Sequence, residues 1–122
     1  MPEVVYYETA RGDEPVAVYV ERLGRSGDKR DVAAILDLIV ELEERGSALR
    51  MPDARIIDRN ARIFELRPRS HRIAYAEHGG RYVLLHAWRK QSQRLDRRAL
   101  ATAQRRLADW RNRHGPERQT TH

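Results

Sequence analysis

The sequence predicts one α+β domain in which a small antiparallel sheet packs on helices, in the order β-α-α-β-β-β-α. Three observations carry that reading. Apolar residues recur at helical spacing between Val16 and Leu42, then alternate like strands between Arg62 and Trp88. His78-Gly79-Gly80 falls between two such strands, where a hairpin needs residues able to take positive φ. Strands joined by short turns must run antiparallel, so the helices are expected on one face and the other is left free for binding.

Val4-Val5-Tyr6-Tyr7 is β-branched and aromatic and reads as the first strand. Asp13 and Glu14 before Pro15 form a helix entry, with Val16, Tyr19, Val20 and Leu23 on one face. A second helix spans about Asp28 to Arg45, with a stripe of Val32, Ile35, Leu36, Ile39 and Leu42 before Gly46. Ile56-Ile57 is a candidate for one further short strand. Arg62 to Arg67 follows as a strand that Pro68 ends, then His71 to Glu77 and Arg81 to Trp88. His78 is read as a turn residue. Asp96 is placed to cap a last helix with Leu100, Ala103, Leu107 and Trp110 on one side, and Trp88 and Trp110 are read as core. The domain is read as residues 1–114, ending at His114, with 115–122 as a disordered polar tail.

Composition narrows the function. There is no cysteine, which excludes disulfides and thiolate metal sites and suits a cytoplasmic protein. Neither an export signal nor an apolar run of the roughly 20 residues needed to span a membrane is present. The net charge of +6 is unevenly spread. Residues 1–50 hold 7 basic and 11 acidic side chains, whereas residues 89–122 hold 10 and 3. A basic half suits a polyanion, whose released counterions drive binding.

The hairpin concentrates that charge. If Gly79 and Gly80 are the turn, Arg72 faces Ala87, Ile73 faces His86 and Tyr75 faces Leu84. Arg72, Ala87 and Arg89 then share one face, and Tyr75, His86, Trp88 and Lys90 the other. A one-residue slip would exchange the faces. Arg67, Arg69 and Arg72 meet His86, Arg89 and Lys90 at the open end. Guanidinium groups match phosphate oxygens and stabilise a phosphorane, and histidine can move a proton near neutral pH. No pair of carboxylates is spaced for a metal, and the five histidines form no HxxxH pattern, so neither a metal nor another cofactor is expected.

Ordered motifs from Arg62 to Trp110 resemble the RelE/ParE superfamily of bacterial toxins, most closely its phage-derived HigB-like branch. Glu65-Leu66-Arg67 resembles the branch's "ELR" strand, His71 to Tyr75 its "xRIxY" strand, and Val83 to Trp88 its "VLLHxF" strand. Arg89 to Arg94 is similar to a degenerate lysine-rich loop, and Ala103, Arg106 and Trp110 follow the branch's last helix. Gln91 and Ser92 depart from that loop, and Leu95-Asp96 stands where Thr-Pro is usual. Glu65 brings a carboxylate where some superfamily members place a lysine.

The resemblance implies a RelE-like fold and a toxin of a type II toxin–antitoxin system. It implies a ribosome-dependent, metal-independent endoribonuclease that cuts mRNA by attack of a 2′-hydroxyl on its own phosphate. Carried onto this chain, Arg67 and Arg72 bind the scissile phosphate, and Arg89 and Lys90 add phosphate contacts. His86 transfers the proton, with Tyr75 and His71 in reserve; Arg69, Arg94 and Tyr75 complete the substrate contacts. The implied partners are the ribosome with its mRNA and an antitoxin of the helix-turn-helix, HigA-like kind, through which alone operator DNA is reached. Two other functions fit the scaffold: a ParE-like gyrase poison, or a decayed toxin that only binds nucleic acid or an antitoxin.

Overall fold

The computed structural model describes residues 3–115. Apart from Gly115, the tail expected over 115–122 lies outside the described residues. Strand β1 (Glu3–Tyr6) leads to helix α1 (Pro15–Arg25), where Pro15 opens the helix at a position that needs no N–H. Helix α2 (Lys29–Arg45) follows and stops at Gly46, whose φ of 53° suits glycine. It buries Ile35, Leu38, Ile39 and Leu42. Leu36, expected in that stripe, is 44% exposed instead. It stands about 100° of helix rotation from Ile35, on the flank opposite Leu38.

One short 3₁₀ turn (Gly46–Ala48) precedes β2 (Ala54–Asp58), β3 (Ile63–Leu66), β4 (His71–His78) and β5 (Arg81–Arg89). The Ile56-Ile57 candidate is therefore a strand, and four strands rather than three follow the helical pair. The sheet runs β1-β5-β4-β3-β2. β2 to β5 are antiparallel neighbours as expected, but β1 lies parallel to β5, so the sheet is mixed. β1 has no short turn to its neighbour. Two helices carry the chain to the opposite edge, which frees β1 to pair in parallel.

The helices cover both faces, and the expected free face does not exist. α1 and α2 pack on Leu66, Ile73, Tyr75, Tyr82 and Leu84, while helix α3 (Arg97–His114) packs Ala103, Leu107 and Trp110 on Ala74, Ala76, Val83 and Leu85. β4 is buried at seven of its eight positions because helices cover both faces, and this buries its polar His71, Arg72 and His78 as well. Asp96 caps α3, its carboxylate accepting from the Ala99 N–H at 3.0 Å. Asp96→Ala is expected to lower stability by about 1 kcal/mol, measured by denaturant unfolding. His78 belongs to β4 rather than to the turn and is buried against the Gly115 carbonyl, and His114 stacks on Trp110.

Gly79 and Gly80 make the turn with φ of 62° and 78°. The register counted from it holds from His78–Arg81 through Tyr75–Leu84 and then breaks, because Ala74 pairs with His86. Leu85 is the extra residue of a β-bulge. Beyond it Ile73 faces Ala87 and Arg72 faces Trp88, so Arg72 lies on the α3 face with His86 and Trp88. Tyr75 and Arg89 are left on the other face. One bulged residue reassigns the charged end of the hairpin.

Candidate functional site

At that end one buried carboxylate gathers three guanidinium groups. Glu65, on β3, is 2% exposed. Its Oε1 accepts from Arg55 Nε at 2.7 Å and from Arg67 Nη1 at 2.9 Å, and Arg72 Nε stands 3.9 Å away. Pairing of β2 with β3 sets Arg55 opposite Glu65, and pairing of β3 with β4 sets Glu65 opposite Ala74, two residues from Arg72. A single negative charge cannot balance three positive ones at this range, so an anion is favoured beside them.

Arg72 is 6% exposed and held by backbone. Its Nη1 donates to the carbonyls of Arg69 at 2.9 Å and His71 at 2.7 Å. Burial and the neighbouring Arg67 push its pKa down from the usual arginine value, but arginine remains charged. It lines a small cleft of about 100 Å³ with Arg55, Glu65, Trp88, Lys90, Arg94 and Asp96 among its walls. The Lys90 N–H donates to the Ser70 carbonyl at 2.8 Å, which ties the end of β5 to the turn before β4. Arg72, Lys90 and Arg94 thus share the cleft wall, whereas Arg67 does not line it and joins them only through Glu65.

His86 is not on the cleft wall. It stacks on Trp88 with ring centres 5.2 Å apart, and Trp88, expected in the core, is half-buried and faces the cleft. Arg106, on α3, donates to the Leu85 carbonyl at 2.9 Å and to His86 Nδ1 at 3.2 Å. Burial, then the Arg106 charge, lowers the His86 pKa to about 4. Its ring signals should therefore stay unprotonated in an NMR titration down to about pH 5. The sign for stability follows. Below about pH 6.5 the unfolded chain takes up a proton that folded His86 does not, so stability falls until about pH 4 and this loss then ends.

Other predicted residues are placed elsewhere. Arg69 Nε donates to Asp31 Oδ1 at 2.8 Å, away from the cleft. His71 is fully buried between Asp31 and the Tyr19 hydroxyl. Arg89 pairs with His71 on the face of α1. Tyr75 is buried on that same face, stacked on Phe64, and burial pushes its hydroxyl well above the ordinary tyrosine pKa. The bulge is the reason that Arg89 does not share a face with Arg72; Tyr75, three residues from Arg72 on the same strand, lies on the opposite face in either register.

Arg55 and Arg106 are site residues that sequence reasoning missed. Arg55 flanks Ile56-Ile57, and pairing that strand with Arg62–Arg67 would have placed it opposite Glu65. Nothing local points Arg106 at His86, because helix α3 docks through its apolar face. Among the described residues no three His, Asp or Glu side chains gather to hold a metal ion, and no helix is long and apolar enough to cross a membrane.

Residues 25–108, more than half of the chain, match the family described as "Phage derived protein Gp49-like (DUF891)". No curated protein matches the chain. The match runs from the end of α1 through the whole of the cleft and most of α3, on an α+β architecture consistent with the RelE-like fold. The chain belongs to the phage-derived Gp49-like family, which is a RelE-like, toxin-like family.

Proposed function

We propose that this protein is the toxin of a type II toxin–antitoxin system, and that it cleaves mRNA on the ribosome with the cleft at Arg72 as its phosphate site. The observation that carries the reading is the gathering of Arg55, Arg67 and Arg72 around the buried Glu65 carboxylate, with Lys90 and Arg94 beside it. A ribonuclease working on one phosphodiester needs that surplus of fixed positive charge where the phosphorane forms. The 2′-hydroxyl gives its proton to water, its oxygen bonds to phosphorus, the bond to the 5′-oxygen breaks, and the leaving oxygen takes a proton. Arg67 and Arg72 bind the phosphate and stabilise its added charge. His86 stands off the cleft wall and is neutral near pH 7; its Nδ1 lone pair accepts from Arg106, so Nε2 carries the one ring proton and His86 is not the base in this reading. Lys90, on the cleft wall, is the proton donor in this reading. The partners are the ribosome and a helix-turn-helix antitoxin in the cytoplasm, with operator DNA bound through the antitoxin.

A second reading, RNA binding without cleavage, is favoured by one observation: no histidine lines the cleft among the described residues. Expression from a tightly repressed promoter, with mRNA 5′ ends mapped across translated messages, separates the two. New ends within codons that vanish in the Arg67→Ala/Arg72→Ala double variant support cleavage. Growth arrest without new ends points to a protein target such as gyrase, and absence of both points to binding alone.

A further inference from the structure

The groups that hold Arg72 come from the side of the sheet away from the cleft. Arg72 Nη1 donates to two carbonyls, those of Arg69 and His71. The side chains of those same two residues converge on one carboxylate: Arg69 Nε meets Asp31 Oδ1, and His71 Nε2 meets Asp31 Oδ2, each at 2.8 Å. A carboxylate only accepts, so Nε2 carries the proton of that bond, and the Tyr19 hydroxyl sits 2.7 Å from Nδ1 on the other side of the ring. Arg69 has φ of 56°, a left-handed conformation that arginine rarely adopts and that needs its surroundings to maintain it. The His71 N–H closes the same turn on the Pro68 carbonyl at 3.0 Å. His71 is fully buried, so water cannot take the place of Asp31 on its ring.

Asp31, Arg69 and His71 do not line the cleft. We propose that Asp31, in the first turn of α2, is a positioning residue that fixes the Arg72 guanidinium by fixing the two carbonyls that bind it. Without the carboxylate, Arg69 is released into solvent, the left-handed backbone loses its anchor, and His71 is left with a buried donor. Both carbonyls then lose their set direction. The first helical pair, which contributes no residue to the cleft wall, in this way controls the geometry of the phosphate site. The structural claim stands on the distances; its consequence for RNA rests on the function proposed above.

The test uses the full chain, with Asp31→Asn and, separately, Arg69→Gln, a milder change because the Arg69 side chain is exposed, each checked by thermal melts. The first readout is the NMR signal of the Arg72 guanidinium, which should shift and rotate faster in both variants while those of Arg55 and Arg67 hold. Unchanged Arg72 signals in both overturn the proposal. The second is affinity for a single-stranded RNA oligonucleotide. Asp31→Asn should weaken it roughly tenfold in the native background and leave it unchanged in an Arg72→Ala background. Equal losses in the two backgrounds mean that Asp31 acts by another route and overturn the proposal as well. If the native chain binds no free oligonucleotide, the guanidinium signals alone decide the positioning, and the mRNA 5′ ends decide the RNA reading.

Discussion

Arg72→Ala is expected to abolish growth arrest on expression and to lower the rate of mRNA cleavage by roughly 10²–10³-fold, the range for deleting one donor to a developing oxyanion. Arg72 is the guanidinium that both lines the cleft and is fixed by two backbone carbonyls, so its loss removes charge and geometry together. Arg72→Lys should recover only part of the activity. Lysine keeps the charge, but it cannot bind the two carbonyls and the phosphate as one rigid fork. Arg67 and Arg55 remain on Glu65 in either variant. A ribosome-dependent cleavage assay with matched thermal melts checks this, and undiminished cleavage by folded Arg72→Ala protein would remove the phosphate role from the cleft.

Glu65→Gln is expected to lower stability by about 3 kcal/mol, the low end of the range for removing one partner of a buried ion pair. Glu65 is buried and accepts from two guanidinium groups at 2.7 Å and 2.9 Å, with a third nearby. Glutamine keeps the shape and one acceptor oxygen but not the charge, leaving three cations to repel one another. The same change should make the cleft a stronger anion site, because the carboxylate otherwise competes with any phosphate for those donors. Thermal melts with and without sulfate or phosphate measure both effects. The variant should melt lower in anion-free buffer and gain more from added anion than the native chain does. An equal gain in both would show that Glu65 does not compete for the site.

Much of the local structure was legible. The Pro15 entry, the Gly79-Gly80 turn, the Asp96 cap and the apolar face of α3 follow from side-chain chemistry that acts within a few residues. Charge segregation and the motifs from Glu65 to Arg94 pointed to the open end of the hairpin, and Arg67, Arg72, Lys90 and Arg94 do gather there. The counted register failed one residue short of the site. A bulge at Leu85 leaves no mark in an apolar run that is buried on both faces, since Leu84 and Leu85 fit either side equally well.

By itself, then, the sequence determined which segments are helix and strand, where the hairpin turns, and which end of it carries the positive charge. These depend on backbone preference, apolar spacing and charge density, all of them short-range properties. Tertiary structure alone decided which face Arg72 occupies, that Glu65 pairs with Arg55 and Arg67, that burial and then the Arg106 charge lower the His86 pKa, and that Asp31 reaches Arg69 and His71 from another element. Those pairings join residues separated along the chain, and only the packing of helices on both faces of the twisted sheet brings their charges within range.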